Sequence, residues 1–461
     1  MSTVVRRSAG AIFWGLTLVT LGALLLAHNL GYPITIWRHI VRYWPALLIA
    51  WGLLKFVDFY RFRRVGDNRP LFSGGEVALL ILVIFAGSAI TTAANVSPEI
   101  GHIFEIGDID LWDITGDSYT YEQRVEQQDV RAGSDIEIVN WYGNIEVRPA
   151  DTDRIVVEVV KTLRASDRSE ADRMDRDFVF SIKDSGSRYT VMSNRDEFGS
   201  AGSFRQRYKS SLMVQVPKRS ALKLQNRNGR IFLQDLTGSQ SVVNRYGDIE
   251  IRNITGAVQI ENRNGTVTVM DVTEGLTITN RYANTTVKNI GGELRIETRN
   301  GSVDIEDVKG NASIENAYAP INARNVEGNV TISGRNNSVE LEHIQGDIRS
   351  DSSYQNVNIT DARGAVTVTS RNGDLRLTLD RPPQKDIEIT SRYGTVVLEL
   401  PSSSAFSVEA RTEYGNVYSD FDGIRVIDSR REKSLSGETG QGGPRIAVTL
   451  RNGDIRLEKR G

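Results

Sequence analysis

The chain has 461 residues, no cysteine, four histidines and a net charge of −2. Disulfides, thiolate metal sites and cysteine nucleophiles are therefore excluded, and His28, His39, His102 and His343 are too scattered to form a ligand set, so no catalytic, metal or cofactor site is expected. Residues 1–98 hold 9 Lys+Arg and 3 Asp+Glu, a net +6, while the remainder holds 47 and 55, a net −8; a basic front on a mildly acidic body argues against a nucleic-acid binder and fits a membrane anchor carrying a solvated body.

Three apolar runs come first. Ala11–Ala27 is 17 residues without a charge, and Val77–Ala94 is 18. Between them Trp44–Leu54 is shorter, and Arg42 and Lys55 snorkel from its ends to extend it to about 41–57. A membrane helix takes roughly 17–25 apolar residues. Residues 1–94 therefore read as an α-helical transmembrane anchor in the lipid bilayer, with spans near 11–27, 41–57 and 77–94. Trp14, Trp37, Tyr43 and Trp44 lie near run ends, as interfacial anchors do. The N-terminus and second loop together carry 7 Lys+Arg (2 + 5), whereas the first loop and the 20 residues after Ala94 carry 2 (2 + 0). The positive-inside rule then puts everything after Ala94 outside the cytoplasm.

Residues 95–127 form a polar, acidic link, and 128–223 an irregular cap. In the cap, Ile136, Ile138 and Trp141–Val147 are an early copy of the phrase that repeats later. Ile155–Val160, Phe178–Ile182, Tyr189–Met192 and Leu212–Val216 read as strands. Ser166–Arg176 reads as a helix with Ser166 or Asp167 as its cap. Terminal units of solenoids are atypical, and this section is placed to cover the first regular rung.

From Leu224 to Leu377 the sequence repeats every 18 residues. Asn228, Tyr246, Asn264, Tyr282, Asn300, Tyr318, Asn336, Tyr354 and Asn372 fall at that interval, with Asn and Tyr alternating. Arg usually precedes this position, Gly often follows it, and a second Gly recurs halfway round (Gly238, Gly256, Gly292, Gly310). In one unit, Ile249 and Ile251 alternate with carboxylates, Asn253–Gly256 is a turn, and Val258 and Ile260 alternate again. Period-two apolar spacing makes each unit two short strands and two turns. Frequent Gly with abundant Val, Ile and Thr excludes a helix. One unit cannot bury its apolar stripe, but stacked units can. The fold class is all-β: a flattened β-solenoid of 18-residue two-strand coils, rungs about 4.8 Å apart, over 224–461. A meander of hairpins is the competing layout, because Asn-Gly also favours hairpins. Within the turns, Asn226, Asn244, Asn262, Asn280 and Asn316 are placed to stack as an amide ladder. Beyond Asn372 the spacing loosens to 21 (Tyr393, Tyr414) and then 38 (Asn452), and Ser429–Gly443 reads as a mobile loop.

Two stretches resemble known bacterial families. Gly15-Leu16, His28-Asn29-Leu30-Gly31, Trp37-Arg38 and Tyr43-Trp44-Pro45-Ala46-Leu47-Leu48-Ile49 resemble LiaI/LiaF-like transmembrane regions. The recurring Asn-Gly-Asp/Arg/Ser-Ile/Val and Asp-Val-x-Gly phrases are similar to the "putative adhesin" domains joined to such segments. The resemblance implies a β-solenoid in the cell envelope and no established reaction.

Two columns are candidate sites. Arg245, Tyr246, Arg281, Tyr282, Tyr318, Tyr354, Arg392 and Tyr393 combine guanidinium forks with rings, a chemistry suited to an anionic cell-wall polymer. The simpler expectation is a solvated edge where each Arg pairs with Asp or Glu of the next rung. Asp235, Asp271, Asp307 and Asp361 share another phase with Asn253, Asn289 and Asn325. Carboxylate clusters serve β-helix lyases and hydrolases, but here they precede a Gly turn, where Asp and Asn bond local backbone. The function expected is a membrane-anchored, extracytoplasmic, non-enzymatic module for binding, adhesion or envelope-stress sensing and scaffolding. Its partner would be another envelope or membrane protein or an anionic polymer. The alternative is a carbohydrate-active β-helix enzyme.

Overall fold

The computed structural model describes residues 117–198, 207–354, 356–429 and 432–460. The three apolar runs, and the link up to residue 116, lie outside them. The chain divides into two compact units: the larger holds 121–161, 176–199 and 209–461, and the smaller takes in 162–175.

The larger unit is a stack of rungs, and one rung shows how the sequence builds it. Ile249–Thr255 and Val258–Asn262 are its two strands. Ile249, Ile251 and Ile254 are buried from one sheet, and Val258 and Ile260 from the other. The first set is not spaced by twos throughout. Asn253 sits in the left-handed region at φ 57° and drops out of the ladder, so Ile254 turns inward again. Asn and Asp tolerate that conformation better than other residues with a side chain.

Each regular strand pairs in parallel with the strand one rung on: Ile251 faces Val269, and Ile260 faces Ile278. The hairpin meander is thereby excluded, since its neighbours would run antiparallel. Close stacking also explains the glycines that follow the Asn/Tyr position. A Cβ on Gly247 would lie 2.4 Å from the Gly229 carbonyl oxygen, and φ there is 126°.

At both ends, order in space departs from order in the chain. Strands Asp135–Val139 and Ile145–Ala150 form a rung against the first regular one, with Ile138 facing Leu224 and Ile145 facing Ile231. The later strands Arg188–Ser193 and Tyr208–Pro217 lie on its other side. The other sheet ends in Ile155–Ala165 and Asp117–Gln127, while outermost in the sheet of Arg188–Ser193 is Phe180–Asp184, antiparallel to it. The Gln123 amide imitates a further strand there: Nε2 donates to the Phe180 carbonyl at 2.8 Å, and the Phe180 N–H donates to Oε1 at 3.0 Å. Such covering blunts an edge that would otherwise pair with another chain.

At the far end, the C-terminal strands Arg445–Asn452 and Ile455–Arg460 are inserted one rung in. On one side they pair with Ile387–Tyr393 and Val396–Pro401, and on the other with Phe406–Tyr414 and Val417–Ser419. The segment 429–443 is not the plain loop its composition suggests. It contains the strand Lys433–Thr439, antiparallel to both Phe406–Tyr414 and Ile424–Asp428. Leu435, fully buried opposite Ala410, is the apolar anchor that charged and Gly-rich neighbours obscure.

In the smaller unit, Asp167 caps the helix Arg168–Asp177, its Oδ1 accepting the Glu170 N–H at 2.8 Å. The Ser166 hydroxyl and N–H both donate to the Glu170 carboxylate. These bonds, backed by Arg207, hold the Glu170 pKa down from its usual 4.5 to about 2.

The register predicts opposite responses at two neighbouring strands. Ile260→Asp buries an unpaired charge and should cost about 3 kcal/mol or more in urea unfolding. Thr277 is exposed between Gln259 and Arg295, so Thr277→Asp should change stability by no more than about 0.5 kcal/mol. Equal losses would contradict the assigned register.

Candidate functional site

The corner that follows each second-sheet strand carries the Asn/Tyr position. Its backbone forms a continuous ladder: Tyr246 N–H donates to Arg227 C=O at 3.0 Å, Asn264 to Arg245 at 2.9 Å, and Tyr282 to Arg263 at 3.1 Å. In spatial order the column runs Tyr142, Asn228, Tyr246, Asn264, Tyr282, Asn300, Tyr318, Asn336, Tyr354, Asn372, Tyr393, Asn452, Tyr414. The alternation has no fault. In the chain, Tyr414 follows Tyr393 and breaks the pattern; the inserted C-terminal rung places Asn452 between them.

What fixes this corner is the buried amide ladder on its inner side. Asn262 Nδ2 donates to the Gly247 carbonyl at 3.2 Å and to Gly265 at 3.0 Å, so each amide ties its own turn to the turn before. Asn226, Asn244, Asn280 and Asn316 do the same. Where the phase offers Gly334 instead, Asn337 of the same turn occupies the slot and is buried, but its Nδ2 bonds no carbonyl, so the ladder lapses there. Ser352, Ser370 and Ser391 then take over the position. The turn carbonyls that the Asn amides satisfy define one corner geometry.

Facing outward, Tyr282, Tyr318, Tyr354, Tyr393 and Tyr414 are 43–65 % exposed, and Tyr246 is partly exposed. The Arg residues before the column differ from those on the flat face of the stack. There, cations find a carboxylate on a nearby rung: Lys288 meets Glu306 at 3.0 Å, Arg324 meets Glu342 at 2.9 Å, and Arg230 meets Glu250. The Glu306 hydrogen bond raises the Lys288 pKa. Among the described residues, Arg245, Arg263, Arg281, Arg299, Arg335, Arg371 and Arg392 have no such partner. The expected pairing of each Arg with the next rung is thus corrected. Asn or Tyr, not Asp or Glu, occupies the adjoining column, and the turn's carboxylates face other columns.

The Asp column is turn chemistry. Asp235, Asn253, Asp271, Asn289, Asp307, Asn325, His343 and Asp361 all have φ between 51° and 60°. Asn253 donates to Asp235 at 2.9 Å, Asn289 to Asp271 at 2.7 Å, and Asn325 to Asp307 at 2.9 Å. No two Asp residues occupy adjacent rungs. A feature that sequence reasoning missed is a shallow groove of 840 Å³ across the second sheet, lined by Lys223, Ser241, Gln259, Thr277, Arg295 and Ser313 among others. Its outward positions mix neutral polar and charged residues with no recurring identity, so only the three-dimensional stack reveals it.

Residues 134–458 match the family model described as Toastrack DUF4097, and residues 12–56 match the LiaI-LiaF-like transmembrane region. No curated protein matches. Among solved structures, the chain is similar to one from Clostridium sporogenes described as a "putative cell adhesion protein", at 7 % identity and a TM-score of 0.18, with 74 % of this chain and 100 % of that one covered. It is also similar to a "putative adhesin" from Bacteroides fragilis, at 10 % identity and a TM-score of 0.18, with 74 % and 97 % covered.

The inner and outer halves of the corner should separate on substitution. Asn262→Ala should cost about 1–3 kcal/mol, because the Gly247 and Gly265 carbonyls each lose one of their two amide donors, at about 0.5–1.5 kcal/mol per hydrogen bond. Tyr282→Ala and Arg281→Ala should each cost less than about 1 kcal/mol by the same urea titration. A larger loss at Tyr282 than at Asn262 would make the ring a structural element.

Proposed function

The chain belongs to the Toastrack DUF4097 family, and from that premise we propose that it is a membrane-anchored, extracytoplasmic, non-enzymatic module that binds an anionic polymer of the cell envelope along its Tyr/Arg edge. The observation that carries this reading is the file of arginines without carboxylate partners beside exposed tyrosines. Guanidinium groups left unneutralised on a rigid edge are preorganised for an anionic partner. The multi-pass anchor and outside orientation are supported by the apolar runs and the 7-to-2 charge asymmetry. A binding role is favoured over turnover because the Asp residues are spread along the stack, each in a turn conformation and several tied to an Asn. Acid–base catalysis needs two carboxyl groups in contrasting environments, and a near-uniform column offers similar ones. Adhesion, stress sensing and scaffolding are uses of the same edge.

Two measurements test this. Protease added to intact spheroplasts should remove the domain after residue 94; cleavage only after permeabilisation would invert the topology. The full-length protein in nanodiscs should bind dextran sulfate with an affinity that falls steeply with salt. Arg245→Gln/Arg281→Gln/Arg392→Gln should weaken it about tenfold or more, equivalent to about 1.4 kcal/mol. Binding indifferent to these three changes, or capture of an envelope protein in place of the polymer, would contradict the reading.

A further inference from the structure

We propose that the polymer taken by the Tyr/Arg edge is an extended acidic polysaccharide of alternating sugars, lying along the stack so that one disaccharide spans two rungs. This rests on the binding reading above and adds the chemistry of the ligand.

Tyr recurs on every second rung, about 9.6 Å apart. In an extended pyranose chain linked across opposite sides of each ring, successive sugars flip, and like faces recur every second sugar at about that distance. An extended polypeptide repeats its side chains every two residues, about 6.8 Å, and falls out of step within a few rungs.

Each two-rung cell also holds the groups that such a chain needs. Tyr282 offers a ring face, Asn300 an exposed amide, and Arg281 and Arg299 two guanidinium forks. A ring stacks on the apolar face of a sugar, an amide meets hydroxyl or N-acetyl groups, and a fork takes a carboxylate with two bonds. A poly(glycerol phosphate) chain would use the arginines but has no ring for the tyrosines.

Arg227 to Arg299 occupy five consecutive rungs, Ala317 and Ser353 interrupt the file on either side of Arg335, and Arg371, Arg392 and Arg451 are consecutive in space. Glu413 ends the file, 3.7 Å from Arg451. The column from Tyr142 to Tyr414 has 12 intervals, about 58 Å at the strand spacing. A chain of about a dozen sugars covers it.

The test uses the full-length protein in nanodiscs with three probes: hyaluronate fragments, which alternate a uronate with an N-acetylhexosamine, poly(glycerol phosphate) and polyglutamate. Hyaluronate should bind about tenfold tighter than the other two, with affinity rising up to about a dozen sugars. Tyr282→Ala/Tyr318→Ala should weaken hyaluronate about tenfold through the loss of two ring contacts, and leave the other probes unchanged. Tyr282→Phe/Tyr318→Phe, which keeps the rings, should restore most of it. Equal binding of poly(glycerol phosphate), or hyaluronate affinity indifferent to the Tyr changes, would overturn the glycan inference while the Arg-dependent edge stands. Loss of Arg dependence for every probe would overturn the edge itself.

Discussion

Parallel strands that hydrogen-bond in register lie about 4.8 Å apart, and every group on one rung then faces its equivalent on the next at that distance. The rest of this molecule follows from that spacing. Apolar side chains gain from it, since Ile251 on Val269 and Ile260 on Ile278 extend one dry core along the stack. Backbone at the corners tolerates it only without a Cβ, which is why Gly247 sits over Gly229. Asn side chains exploit it, because one amide can reach the carbonyls of two successive turns.

Bulky or charged groups suffer from the same spacing, and the chain answers in three ways. Rings and left-handed carboxylates alternate with Asn, which doubles their separation to about 9.6 Å, close to the screening length of physiological salt. Two like charges at about 4.8 Å repel by roughly 0.9 kcal/mol even in water. Cations on the flat face meet a carboxylate on a nearby rung. The arginines beside the tyrosines receive neither remedy on the four consecutive rungs from Arg245 to Arg299. Their long stems can splay, but a bound polyanion relieves the repulsion more completely, and this links the physics of stacking to the proposed role.

Much of this was legible in the residues. The 18-residue period, the inward set Ile249, Ile251, Ile254, Val258 and Ile260, the amide ladder and the Asn/Tyr column all follow from spacing and side-chain type. The order of the end rungs is less open to reading, because nothing local to 445–460 says which neighbours it takes. One clue was present: Tyr414 follows Tyr393 with no Asn between, and the nearest unused Asn-Gly is Asn452-Gly453. The strand at Lys433–Thr439 was hidden by composition, since a single Leu435 anchors it. The pairing of the edge arginines was misjudged because carboxylates close in sequence, such as Asp248 beside Arg245, turn toward backbone N–H groups: Asp248 accepts from Thr266 at 2.7 Å.

Insertion of the C-terminal rung has a functional consequence, since it carries the Tyr/Asn alternation to the last rung and extends the Arg file by Arg451, one rung short of it. That spatial order is the claim on which the continuous edge rests, and a chain without cysteine allows it to be tested cleanly. Pairs of cysteines would be introduced at Tyr393, Tyr414 and Asn452, oxidised, and scored for intramolecular disulfides by peptide mapping. The structure predicts that 393 with 452 and 414 with 452 close readily, and that 393 with 414 does not. A bond between 393 and 414, with none between 393 and 452, would mean that the rungs stack in chain order and that the edge is broken where the account makes it continuous.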